Sequence, residues 1–190
     1  MQIPIKRLAD ALEAINRDSD RYPSADVPAQ TPDRLTDASS ATRALGLRWR
    51  DRLVVDLRGR ATTFLEHRDV NLAVACRPDA VEPESVRKLL LGALRFGKPF
   101  VLDLLSVELA VATVDDLLEP VLPGLLQLLL SKRILLEEHY AQLLRPTDGP
   151  EYDLRMWTER NLEFFQFVLL STLPQPPEWC TSSFFVVKCA

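Results

Sequence analysis

Asp103 sits near the end of an apolar run, F-V-L-D-L at 100–104, that follows Gly97 and Pro99. An acidic side chain at the carboxyl end of a buried strand is where nucleotide-handling α/β folds hold Mg²⁺ against a triphosphate. That chemistry also needs a phosphate cradle, G-x-x-x-x-G-K-[ST], whose backbone N–H groups and lysine grip the phosphates, and no such string occurs in the 190 residues. The acid stands without its cradle, so the sequence points to an NTPase-like architecture without NTPase chemistry. The plainer role for Asp103 is to cap a nearby turn or helix.

Other reactive side chains do not form a working set. Glu137, Glu138 and His139 fall on a predicted helix but lack the H-E-x-x-H spacing that puts two imidazoles on one face, and they read as a solvated charge run. Cys76, Cys180 and Cys189 have no C-x-x-C spacing, and with only His67 and His139 to join them a zinc site is not expected. No base is placed beside them in sequence, so they read as buried small hydrophobes in a reducing compartment. Ser39, Ser40, Ser171 and Ser182 lack a G-x-S-x-G elbow. Trp157, Trp179, Phe164 and Phe165 are assigned to core and loop packing rather than to an aromatic binding surface.

Composition narrows the classes further. With 47% hydrophobic and 26% charged residues the chain can bury a core, and its net charge of -4 argues against a nucleic-acid surface. Arg48, Arg50 and Arg52 are read as a solvated edge. The longest apolar run, 121–130, is broken by Pro123, Gly124 and Gln127 and falls far short of the roughly 20 residues that span a bilayer. No signal-peptide pattern opens the chain, and a soluble protein with no membrane partner is expected.

The elements that must position Asp103 follow from periodicity. Ile5, Leu8, Leu12 and Ile15 make one helical stripe, which predicts an amphipathic helix over 1–17. Pro23, Pro28 and Pro32 among small polar residues predict a linker, partly disordered, over 18–45. From 46 to 190 short β-branched runs alternate with helical ones, the pattern of a parallel sheet covered on both faces. Strands are predicted at 53–57, 70–76, 100–104, 164–171 and 184–188, with a helix from Pro83 to a stop at Gly97 whose buried face is Val86, Leu89, Leu90, Ala93 and Leu94. Further helices are predicted at 115–122 and 131–144, and a loop at 145–150. Right-handed crossovers then favour a doubly wound, three-layer fold. The leucine-rich stretch 125–136 exceeds what one small domain is expected to cover, which predicts a tendency to self-associate.

Four segments in order resemble a known family. V-D-L-R-G-R-A at 55–61 is similar to the I-D-P-Q-G-Q-A stretch that opens the fifth AAA module of dynein heavy chains, the ATP-binding dynein motor region. A-L-R-F-G-K-P at 93–99 resembles its A-I-[RQ]-[FY]-G-[KN]-P segment, L-E-P-V-L at 118–122 its L-E-P-[VIL]-L, and L-P-Q-P at 173–176 its L-P-N-P. The matches are spread in order over residues 50–189, most of the chain. One departure is that Leu104 and Leu105 follow Asp103 where the family carries further acidic residues and L-D-P.

The resemblance implies an α/β, P-loop NTPase-like core of AAA type, a parallel sheet of about five strands in the order 5-1-4-3-2. The chain ends after the fifth predicted strand, where such a module continues into its helical lid, so a core without the lid is expected. It implies Asp56, Arg58, Gly59 and Arg60 at a degenerate phosphate-loop position and Asp103 at the metal-facing position. It further implies a module without catalysis or a resident cofactor, serving as scaffold or interaction domain for protein partners or neighbouring AAA-like modules. Its expected location is cytoplasmic, with cytoskeletal or ciliary sites included. Proteins that join IQ motifs and ankyrin repeats to a dynein-like carboxyl-terminal region are one plausible home. The alternatives are a domain that binds ATP or ADP with Mg²⁺ without hydrolysing it, and part of an ATP-dependent microtubule motor.

Overall fold

The computed structural model describes residues 2–8 and 51–189. Its centre is one six-stranded sheet in which every neighbouring pair is parallel. The strands are β1 (Gln2–Ile3), β2 (Arg52–Val55), β3 (Asn71–Val74), β4 (Pro99–Leu105), β5 (Gln166–Ser171) and β6 (Phe185–Cys189). The helices are α1 (Ala61–Glu66), α2 (Pro78–Val81), α3 (Pro83–Phe96), α4 (Val111–Leu118), α5 (Leu125–Leu130), α6 (Glu137–Tyr140), α7 (Glu159–Phe164) and α8 (Glu178–Ser183). The sheet order is β1-β6-β2-β5-β4-β3. Its last five members have the order 5-1-4-3-2 implied by the family resemblance, with β1 added outside them.

The apolar runs explain this placement. β2 and β5 are buried along their whole length, as central strands of a two-sided sheet must be, whereas the outer β3 and β6 are only partly covered. Alternation then divides the side chains. Leu53, Val55, Phe100, Leu102, Phe167 and Leu169 join the large core with α3, α4 and α5. Val54, Val101, Val168, Leu170 and Val187 face a smaller core closed by Ala61 and Leu65 of α1 and by Ile3 and Leu8.

Several expectations need correction. Residues 2–3 of the predicted amino-terminal helix instead form β1, followed by a 3₁₀ turn at Ile5–Arg7, because pairing with β6 and burial of Ile3 compete successfully with the helical stripe. The rest of that helix, 9–17, the predicted linker 18–45, and Arg48 and Arg50 lie outside the described residues. Arg52 is not a solvated edge: it is buried in β2 and donates through Nη1 to Gln166 Oε1. Phe164 belongs to α7 rather than to the following strand. The predicted helix 115–122 begins earlier and stops at Leu118, two residues before Pro120, which cannot continue it.

The predicted helix 131–144 is broken. Lys132 takes a left-handed conformation at φ 60° and Leu136 is extended, so only short turns and α6 form there. Lys132 is thereby turned inward, where its Nζ donates to Asp51 Oδ1, which also accepts from Phe167 N at 3.0 Å. Leu125, Leu126, Leu129, Ile134 and Leu135 are buried in the large core. Leu128, Leu130 and Leu136 stay partly exposed, so the chain covers the leucine-rich stretch in part.

The returning loop is fixed on α3. Arg87, buried on that helix, donates to Asp148 through both Nη atoms, to Glu84, and to the Leu143 carbonyl. At the end of α3, Gly97 has φ 66°, and both its N–H and that of Lys98 donate to Ala93 O. A Cβ at Gly97 would lie 2.6 Å from Asn161 O, and Asn161 Nδ2 in turn donates to Arg95 O. Gly97→Ala should therefore combine left-handed strain with a backbone clash and lower stability by about 2 kcal/mol or more, read from the urea midpoint.

Candidate functional site

Parallel strands bring all their carboxyl ends to one edge, the usual ligand edge of open α/β sheets. At that edge β2 leaves the sheet through Asp56, which is buried, and Asp56 N donates to Ser171 O of β5 at 2.9 Å. The chain then turns over five residues, 56–60, into α1. Gly59, at φ 65°, allows the reversal, and Gly59 N closes it on Asp56 O at 3.1 Å.

The carboxylate of Asp56 supplies what the turn lacks. Its Oδ1 accepts from Arg58 N at 3.1 Å and its Oδ2 from Ala61 N at 2.6 Å. These N–H groups, at the turn and at the start of α1, would otherwise need an external acceptor. The N-cap residue Arg60 gives no side-chain cap, so the acceptor comes from five residues upstream of Ala61. In a phosphate loop such donors point at the ligand. Here a carboxylate of the chain occupies them.

Asp103 lies on β4, one strand beyond β5, and is fully buried. Its Oδ2 accepts from the Thr62 hydroxyl of α1 and its Oδ1 from Leu105 N at 2.9 Å. Between Asp103 and Leu105 the β4–β5 register shifts, and Leu105 adopts φ 50°, a left-handed conformation that a bulky residue rarely takes. Burial pushes the Asp103 carboxyl above the usual carboxylate range, although the Thr62 hydroxyl and Leu105 N–H oppose it, and the nearby charge of Asp56 adds to the rise.

The structure thus brings together Asp56, Asp103 and the turn containing Gly59, and leaves Arg58 and Arg60 exposed on the tip of that turn. Thr62 escaped the sequence reading. Its signal was a hydroxyl residue in the first helical turn after β2, which is where a phosphate loop places its metal-binding Ser or Thr.

These residues do not fit a bound Mg²⁺–triphosphate. Thr62 and Asp103, the pair that would share the metal, are bonded to each other, no lysine follows Gly59, and the backbone donors are taken by Asp56. Among the described residues no group of three or more His, Cys, Asp or Glu is placed to hold a metal ion.

The remaining candidates are dispersed. Cys180 is buried and its thiol is pushed up to about 12 by burial, while Cys189 rises to about 11 for the same main reason. Cys76, expected inside, is exposed, because it follows β3 in the turn that leads out to Pro78. Glu138 Oε1 lies 3.2 Å from His139 Nε2 on the same short helix. Trp157 stacks on Tyr140 at 4.2 Å, and Trp179 donates to Leu109 O, so both indoles are packing elements. No protein-family model matches the chain, and no solved structure matches it.

Two substitutions probe this edge. Asp56→Ala should lower stability by about 1–2 kcal/mol, the cost of losing a helix-start acceptor, in urea unfolding. For Asp103 the folded pKa lies above the unfolded value of about 3.9, so its contribution is full below that pH and is lost as pH rises through the folded pKa. Asp103→Asn removes the charge and keeps the bond from Leu105 N to Oδ1, while its Nδ2 donates to the Thr62 hydroxyl, which then accepts instead of donating. From pH ~4 upward, wild-type stability should therefore fall relative to Asp103→Asn, a difference read from paired urea midpoints.

Proposed function

We propose that this chain is a non-catalytic, dynein-like AAA-type module that serves as a structural or protein-interaction domain. The observation that carries the reading is the Asp56 carboxylate, which accepts from Arg58 N and Ala61 N at the start of α1. A phosphate brought to that turn would meet a buried like charge and donors already in use. The strand order and the Thr62–Asp103 contact support an NTPase-type ancestry for the layout, with the acid and hydroxyl retained where a metal would be held. Hydrolysis needs a lysine on the β and γ phosphates and a free metal-linked acid, each a large part of phosphoryl-transfer catalysis. This turn offers Arg60 where the motif calls for lysine, exposed to solvent, and Asp103 is engaged with Thr62.

What then recommends the domain to a cell is its shape and surface. Such a module would work in the cytoplasm against protein partners or adjacent modules of its own kind, without a resident cofactor. Thermal and urea unfolding with ATP or ADP and Mg²⁺ test the reading. A ligand with Kd of about 10 μM, supplied at about 1 mM, would add roughly 2.7 kcal/mol. The expected result is no change in stability and no phosphate release. Stabilisation by Mg²⁺–ATP without phosphate release would replace the proposal with a nucleotide-binding regulatory domain, and release abolished by Asp103→Ala would replace it with a hydrolase.

A further inference from the structure

The chain is acidic overall, with a formal net charge of -4, yet one corner of the sheet carries only positive side chains at its surface. Among the described residues, 2–8, 57–60 and 184–189 hold Lys6, Arg7, Arg58, Arg60 and Lys188 and no Asp or Glu, and all five basic residues are exposed. They are far apart in sequence, and parallel pairing collects them. β1, β6 and β2 lie side by side, so the chain leaves β1 toward Lys6 and Arg7 at the same edge where β2 leads into Arg58 and Arg60. Lys188 is paired with Val55, one residue before Asp56. Ile5 and Leu8 pack in the smaller core with Ala61, which sets Lys6 and Arg7 beside the start of α1, and Arg60 lies close enough to Cys189 for its charge to act on that thiol.

The acid excess lies elsewhere. No Lys or Arg occurs between Pro99 and Ser131, and Glu108, Asp116 and Glu119 are exposed in that stretch, whose helices α4 and α5 pack on the large core. Beneath the corner itself the carboxylate is Asp56, buried and engaged with Arg58 N and Ala61 N. With a Debye length of about 8 Å at physiological salt, a surface that meets the corner responds to its five cations more than to acids across the sheet. The same corner presents Leu57, 60% exposed and the most exposed large apolar side chain among the described residues. It stands on a tip rather than in a groove: residues 57–60 are all exposed, and a Cβ at Gly59 would meet only Thr172 Cγ2, at 3.9 Å. An extended peptide docks in a groove or on an open strand edge, and the β6 edge is already taken by β1. A protruding leucine flanked by Lys and Arg matches instead a broad anionic surface with an apolar layer beneath it, which is the chemistry of a bilayer interface rich in acidic lipid.

We propose that this corner docks the protein peripherally on an anionic membrane surface, with Leu57 entering the interface and Lys6, Arg7, Arg58, Arg60 and Lys188 on the acidic headgroups. The inference goes beyond the non-catalytic reading and does not rest on it, since it uses exposed side chains whereas that reading uses Asp56 and the backbone of the turn.

Flotation of the full chain with lipid vesicles tests it. The chain should float with vesicles of equal parts phosphatidylcholine and phosphatidylserine, remain behind with phosphatidylcholine alone, and be released by high salt. Arg58→Gln with Arg60→Gln, and separately Lys6→Gln with Arg7→Gln, should each weaken binding about 20-fold, because one basic side chain near such a surface contributes about a factor of five. Leu57→Ser should weaken it while leaving its salt dependence in place. Arg155→Gln with Arg160→Gln removes the same charge from exposed positions ahead of β5, at the other edge of the sheet, and should leave binding unchanged. Urea midpoints of all variants identify any that fail to fold, and the two basic pairs lie on separate segments, so either one alone decides. No binding to the anionic vesicles overturns the proposal, as does an equal loss from the Arg155 and Arg160 pair, which would show net charge acting without a site. Displacement by soluble glycerophosphoserine would reduce the corner to a headgroup site, and capture of a leucine-containing oligoglutamate peptide without vesicle binding would assign it to an acidic protein partner; either result overturns membrane docking.

Discussion

Backbone N–H groups leaving the carboxyl edge of a parallel sheet must find acceptors, and this constraint organises the molecule's candidate site. In a phosphate-binding protein the ligand can be the acceptor. Here Asp56 meets the need from within, its two oxygens shared between Arg58 N and Ala61 N while its own N–H is held by Ser171 O. Remove that carboxylate and the start of α1, the turn at Gly59 and the seat of Thr62 lose their common support. The Thr62–Asp103 contact depends on it in turn, since Thr62 stands on the first turn of α1.

The opposite edge is secured by different chemistry. Asp51 and Lys132 are both buried and paired, and Asp51 also accepts from Phe167 N, so the strand starts and the leucine-rich region are joined at one carboxylate. An ion pair of this kind adds little net stability once desolvation is counted, but loss of one partner leaves a buried charge and costs several kcal/mol, on the order of 3–5. Its role is to fix where the broken helical region sits. Arg87 does the same for the loop at Asp148, with a planar fork that a lysine could not supply. The large core can therefore accept short, irregular helices on α3 and the sheet, although the buried Asn71 Nδ2 beside Gly92 of α3 has no hydrogen-bond partner among the described residues.

The two faces of the sheet differ in how the chain covers them. One is covered by α3, α4 and α5, all between β3 and β5 in sequence, whereas the other depends on α1 and on residues 2–8. Crossover helices come with the strands that they connect, so the first face is closed by local connectivity. The second is closed by a segment from elsewhere in the chain, Ile3 and Leu8, which reach it without a crossover helix.

The sequence by itself determined five of the six strands and the main helix. Apolar runs such as V-L-L at 168–170 can be buried only between two layers, and Pro83 and Gly97 bound α3 through their own backbone restrictions. It also located the acid at the end of β4 and showed the missing cradle, because both are questions of residue type and spacing. The tertiary structure alone decided that Asp56 turns back onto α1, that Thr62 reaches Asp103, that Lys132 leaves its helix for Asp51, and that residues 2–3 are a strand. In the Thr62–Asp103 and Asp51–Lys132 pairs the partners are 41 and 81 residues apart. Local periodicity records which side of an element is buried. It does not record which distant polar group will be waiting there, since that is fixed only when the crossovers close and every buried donor must be matched at once.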